Sequence, residues 1–145
     1  MDDQIIFNDE RAIAAFNGAV AHRFRPETDV AITRFRGDKL MGGVVLTEYY
    51  RHHSIQIIVY SWDKHWINRD MIYATFDYVF NQLKVKHLFA DSREKQTSFD
   101  LNVGFRVVAR IPDFYPDDNK VILRMDREDC RFLDIKPRRV RSNLN

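Results

Sequence analysis

The residues best arranged for chemistry lie between positions 54 and 83. Ser54-Ile-Gln-Ile-Ile-Val-Tyr60 reads as a buried strand, Ser61-Trp-Asp-Lys-His65 as a short polar loop, and 68–83 as one long amphipathic helix. Ile72, Phe76, Val79, Phe80 and Leu83 recur at helical spacing and predict its core-facing stripe. Asn68 stands where an N-cap belongs, and Asp70 follows in the first turn. A strand feeding a helix start through a tight loop aims free amides and the positive end of the helix dipole at whatever lies above the strand. That geometry suits the phosphates of a cofactor.

Other reactive residue types form no comparable pattern. His52 and His53 are adjacent, so on a strand or turn they point apart. No cysteine, histidine or carboxylate has ligand spacing with them, and the expectation is no metal. His65 reads as a loop residue. Cys130, the single cysteine, has no histidine in a catalytic pattern with it. It excludes an internal disulfide and suits a reducing compartment.

These groups need a scaffold, and the chain supplies one. Residues 4–7 form a short strand, and 9–22 a helix with Ile13, Phe16 and Val20 on one face and Asn8 or Asp9 as cap. Strands follow at 30–36 and 40–50, joined by the turn signal Gly37-Asp38. Gly42-Gly43 predicts a bulge or a close backbone approach. After the 54–60 strand and the 68–83 helix come a strand at 86–91, a weaker helix at 94–102 closed by Gly104, strands at 105–111 and 121–125, and a helical turn within 127–133. The order β-α-βββ-α-β-α-ββ argues an α/β domain with a mixed sheet and helices on both faces.

The 145 residues are 45% hydrophobic and 30% charged, a globular composition of single-domain size. No apolar run reaches membrane-spanning length, and Met1-Asp-Asp-Gln4 lacks a signal-peptide start, so a cytoplasmic protein is expected. The net charge of +2 is uneven: residues 134–145 hold four basic side chains against one acidic. We expect one domain over 1–133 and a basic, solvated tail over 134–145. The same charge could touch nucleic acid or acidic protein.

The element order is that of the GNAT acetyltransferases, and the local sequence resembles a GNAT subfamily common in tailed bacteriophages and prophages. The resemblance covers roughly residues 40–133. It rests on Trp66-Ile-Asn-Arg69, Phe76-Asp-Tyr-Val-Phe80, Gly104-Phe-Arg106 and the closing Arg127-Glu-Asp-Cys-Arg-Phe-Leu133. It implies a GNAT-like domain with a central, mostly antiparallel mixed sheet, and transfer of an acetyl group from acetyl-CoA to a primary amine of unknown origin. Acetyl-CoA would lie in the splay between strands 54–60 and 86–91. Its pantetheine arm would pair with the backbone of Ile58, Val59 and Tyr60. Ser61, Trp66, Ile67, Asn68 and Arg69 would meet the pyrophosphate, Arg69 through charge-assisted hydrogen bonds.

The chain departs from the family at three places. Residues 61–70 contain no glycine, where relatives carry a glycine-bearing phosphate loop. Arg93 and Gln96 stand where relatives often have Asn and Ser. Asp100 stands where a tyrosine often protonates the departing thiolate, and an exposed, ionised aspartate would be a poor acid. On this reading Glu48, late in the third strand, is the carboxylate to take the amine proton, or else a solvated strand-end residue. Tyr49, Tyr50 and Tyr60 could line the acceptor cleft or pack across strands. Backbone amides of the splayed strand would polarise the carbonyl. The rival reading is a catalytically silent GNAT-like module, partnered by a second copy or by a phage or host protein.

Overall fold

Alternating apolar residues and turn chemistry build one seven-stranded mixed sheet. A computed structural model describes residues 3–134; the basic tail expected over 134–145 lies, beyond Asp134, outside the described residues. The strands are β1 (Asp3–Phe7), β2 (Val30–Arg36), β3 (Lys39–Tyr50), β4 (Ser54–Ser61), β5 (His87–Arg93), β6 (Arg106–Tyr115) and β7 (Asp118–Asp126). Their order in the sheet is β1-β2-β3-β4-β5-β7-β6. All neighbours run antiparallel except β4 and β5, which are parallel. Helix α1 (Glu10–Ala19) follows β1, α2 (Arg69–Phe76) follows β4, and α3 (Ser98–Val103) follows β5. The element order is the one read from the sequence.

Two buried clusters place helices on both faces. Ile32, Val44, Leu46, Ile55, Ile57 and Leu88 of the sheet pack with Met71, Phe76, Val79 and Phe80 on the α2 side. Ala31 and Val45, the alternate strand residues, pack with Phe16 of α1 and with Phe24 on the other. Asp9 caps α1 through its side chain, accepting from the amides of Arg11 and Ala12. That helix ends at Ala19, three residues before its expected end. Asn17 Oδ1 accepts instead from the amide of Phe24, and the chain turns towards the buried Asp29.

The expected 68–83 helix is two structures. Eight residues of α-helix open into a π-helical turn over Asp77–Gln82. The wider turn brings both Asn81 Nδ2 (2.8 Å) and Gln82 Nε2 (3.0 Å) onto the Asp77 carboxylate. Phe76 and Phe80 stay buried, as the stripe predicts. Strand β6 runs on through Pro112 to Tyr115, beyond its expected end at 111, because it lies at the sheet edge, where a missing N–H breaks no ladder bond.

The glycine pair marks both a bulge and a close approach. Arg34 pairs with Gly42 but Phe35 with Leu40, so Met41 is the extra residue. A Cβ on Gly42 would lie 2.8 Å from Trp66 Cβ and 2.9 Å from Ser61 Cβ. Gly42→Ala should therefore push the loop before α2 off the sheet and cost about 2 kcal/mol, the range of an overpacked core site. A fall in the urea midpoint at unchanged slope would show it; an unshifted midpoint would mean that Trp66 yields freely.

Candidate functional site

Strands β4 and β5 pair at three positions only: Ser54 with His87, Ile55 with Leu88 and Gln56 with Phe89. Beyond them the strands part, although β4 stays paired to β3 as far as Ser61 and β5 to β7 as far as Arg93. The fork therefore leaves a strand edge open inside the sheet. A cavity of about 310 Å³ occupies it, mostly apolar, between Ile57 to Val59 on one side and Ala90 to Ser92 on the other. Trp66, Ile67, Ile72 and Phe76 close it from the α2 side, and Phe99, Asp100 and Val103 from α3.

The loop that enters α2 is held without glycine. The carbonyl of the bulged Met41 accepts from the amides of Trp62 (2.9 Å) and Asp63 (3.0 Å). Asp63 accepts from Lys39 Nζ at 2.6 Å and from the His65 amide at 2.8 Å. The lysine and then the amide hold its carboxyl down at about 2. Arg34, buried in β2, donates through Nη1 to the His65 carbonyl (2.5 Å) and through Nη2 to Asp3 (3.1 Å). Asn68 Oδ1 then accepts from the Met71 amide at 2.8 Å, the expected N-cap. The amides of Arg69 and Asp70 precede the first intrahelical bond, that of Ile72 to the Asn68 carbonyl, and have no helical acceptor.

The structure brings most of the sequence-derived residues together. Ile58, Val59, Trp66 and Ile67 line the fork cavity. Ile67, Asn68 and Arg69 line an adjoining recess of about 340 Å³ with Ile72, Tyr73 and Phe132. Tyr60 and Ser61 lie at the exposed end of β4 outside the cavity lining, Tyr60 with its ring 5.0 Å from that of Trp62. Glu48 does not reach the cavity. It sits exposed at the second β3 irregularity, in the left-handed region (φ 53°), with its carboxylate 3.2 Å from Arg25 Nη2. Tyr49 is half-buried and Tyr50 exposed at the same end. His52 turns the chain between β3 and β4 at φ 58°, and the His53 carbonyl accepts the amides of Lys86 and His87. Among the described residues no three histidine, cysteine or acidic side chains are grouped to hold a metal.

Asp100 corrects an expectation. It is not an exposed, ionised aspartate: it lies part-buried on α3 against the cavity, and burial pushes its carboxyl up to about 6. Helical spacing alone could not show this, because the burying surface comes from β4 and α2. The sequence reading also passed over Asp91, which lines the fork from β5 and accepts from Gln56 Nε2 across it at 3.3 Å. Its only sequence signal was a carboxylate at the end of a predicted strand. Gln96 lines the cavity too, whereas Arg93 turns away to Asp117.

The Asp100 shift has a thermodynamic consequence. A carboxyl raised in the folded state contributes stability below its unfolded pKa, and that contribution is lost as pH rises through about 6. Asp100→Asn should therefore unfold less readily than the parent chain above pH 6. We expect about 1 kcal/mol, after discounting the shift for partial exposure. The gain should vanish below about pH 4, where the aspartate is protonated in both states. Thermal melts from acid to neutral pH check this; a gain independent of pH would remove the titration from the account.

No protein-family model matches the sequence, and no curated protein matches it. Solved structures do. A chimera of spermidine N-acetyltransferase SpeG from Vibrio cholerae and hSSAT superposes with TM-score 0.71 at 12% identity, over 92% of this chain and 100% of that one. Ard1 from Thermoplasma volcanium gives 0.63 at 13%, over 87% and 98%. An acetyltransferase of the GNAT family from Bacillus anthracis gives 0.53 at 17%, over 70% and 67%. At these identities the likeness is one of fold: the chain is folded as the GNAT acetyltransferases are.

Proposed function

We propose that this protein is an N-acetyltransferase that takes acetyl-CoA into the β4–β5 fork and passes the acetyl group to a primary amine. The observation that carries the reading is the fork itself. An open strand edge and an apolar cavity meet there, beside a capped helix start with two free amides. Acetyl-CoA supplies a thioester acetyl group on an aliphatic arm ending in phosphates, and the residues present fit each part. The open edge of β4 beyond Gln56 can pair with the amides of the arm and polarise the thioester carbonyl. Ile57, Val59, Phe99 and Val103 suit its methylenes. The amides of Arg69 and Asp70 and the Arg69 guanidinium suit its phosphates.

The loop lacks glycine, so backbone amides alone cannot crowd round the phosphates. Arg69 then carries more of the attraction, against the like charge of Asp70 in the same turn. Asp100 supplies what the tyrosine of relatives would. With its carboxyl near 6 it holds a proton at mildly acidic pH and can give it to a thiolate, whose own pKa is about 8.5. Glu48, tied to Arg25 away from the cavity, is left out of the proton path, so the attacking amine gives up its proton to solvent water while Asp100 protonates the departing thiolate.

The glycine-free loop favours one other reading, a catalytically silent module of the same fold, such as a phage assembly or host-binding protein. Calorimetry with acetyl-CoA separates the two. Binding in the micromolar range, weakened about tenfold in Arg69→Ala, is expected for loss of a charge-assisted phosphate contact. No binding at millimolar acetyl-CoA would overturn the transferase. Asp100→Asn should bind acetyl-CoA as the parent does and slow turnover by about a hundredfold, the scale of one lost proton donor; unchanged turnover would remove Asp100 from the chemistry.

A further inference from the structure

On the sheet face away from α2 the chain already houses an ammonium ion at the fork, and the ion is its own. Ile55, Ile57, Leu88 and Ala90 point into the α2-side core, so the alternate residues Gln56 and Asp91 emerge on the other face. Asp91 accepts from Gln56 Nε2 at 3.3 Å and pairs with Lys120 Nζ at 3.0 Å. The same Nζ lies 4.5 Å from the centre of the Phe114 ring. Phe114 is half exposed and is set edge-on against Tyr115. A carboxylate on one side of a cation and an aromatic face on another is a recognition arrangement for ammonium groups. The neighbouring cation does not compete for it: Arg93 stacks over Tyr115 and pairs with Asp117 at 3.0 Å.

We propose that Asp91 and Phe114 dock the amine acceptor as an unbranched primary alkylammonium ion, in the position that Lys120 holds until the acceptor displaces it. The resident occupant sets the ligand class. A lysine ends in a primary ammonium on a flexible four-carbon stem, so a ligand of that form enters with no rebuilding of the site. Asp91 also lines the fork cavity. A nitrogen held by its carboxylate therefore sits at the opening through which, on the acetyltransferase reading, the thioester is reached; this part of the inference rests on that reading. Asp91 and Phe114 act here in docking and selectivity.

The full chain tests the site with butylamine as probe and butanol as its uncharged counterpart. Binding is followed by NMR at the Phe114 ring and the Lys120 Cε signals, without acetyl-CoA. Butylammonium should shift both signals and butanol neither. Lys120→Met removes the resident competitor and should tighten butylammonium binding. Asp91→Asn should weaken it about tenfold, the loss expected of one charge-assisted contact. Equal binding of butanol, weaker binding in Lys120→Met, or an unaffected Asp91→Asn would each overturn the proposal. With acetyl-CoA present, the same substitutions should move KM for butylamine in the same directions, more than kcat. The two readings fail separately. Butylammonium binding at Asp91 without any acetyl-CoA binding would remove the transferase and leave the ammonium site. Acetylation of butylamine with Asp91→Asn behaving as the parent would remove the site and leave the transferase.

Discussion

The open strand edge inside the sheet is the constraint on which the rest of this structure depends. A strand in mid-sheet normally satisfies its amides and carbonyls on both sides, because a buried unpaired peptide group is costly. Strand β4 does so with β3 from Gln56 to Ser61 but with β5 only as far as Gln56. The fork lies at the one parallel pairing in the sheet. Antiparallel neighbours on either side fix β4 and β5 to different halves of the sheet, and α2 must cross between them. Beyond the fork each strand is held by its other neighbour, β4 by β3 and β5 by β7.

Positioning falls to the loop before α2, and here the chain solves a problem by long-range anchors. Three contacts from two strands, β2 and β3, grip residues 62–66. The carbonyl of Met41 is freed by a bulge in β3, the bare face of Gly42 accommodates Trp66, and Arg34 reaches from β2 to the His65 carbonyl. Arg34 also ties this loop to β1 through Asp3. A glycine loop gains close amide approach at the cost of conformational entropy. A pinned loop of ordinary residues gives up the close approach and is held rigid instead. On the acetyltransferase reading, that exchange leaves the Arg69 guanidinium much of the work on the phosphates.

What was legible in the sequence was local. The Asn68 cap, the Gly37 turn, the Gly104 helix stop and the apolar alternation of β4 are written in neighbouring residues, and the structure has each of them. The order of elements followed, and the fork was implied by the resemblance to the GNAT acetyltransferases. What was not legible depended on residues far apart in the chain. The π-helical turn needs Asp77 to collect partners at two spacings. The extension of β6 through Pro112 needs that strand to lie at the edge. Glu48 was the attractive carboxylate because it ends a strand, but the β3 irregularity turns it to Arg25. Nothing near Asp100 in sequence buries it, so from the sequence it reads as exposed.

The two acidic groups at the fork show how environment, rather than residue type, sorts chemistry. Asp100 and Asp91 line the same cavity from different elements. One has an apolar surround and keeps its proton to about pH 6. The other faces a lysine ammonium and a glutamine amide. A carboxyl that holds a proton can release it to a leaving group, and a carboxylate beside a cation can attract an amine. On the acetyltransferase reading, Asp100 would give its proton to the departing thiolate and Asp91 would hold the incoming ammonium. The sheet separates the two: Asp100 approaches from the α2 and α3 side, Asp91 from the face beyond, with the open edge of β4 between them.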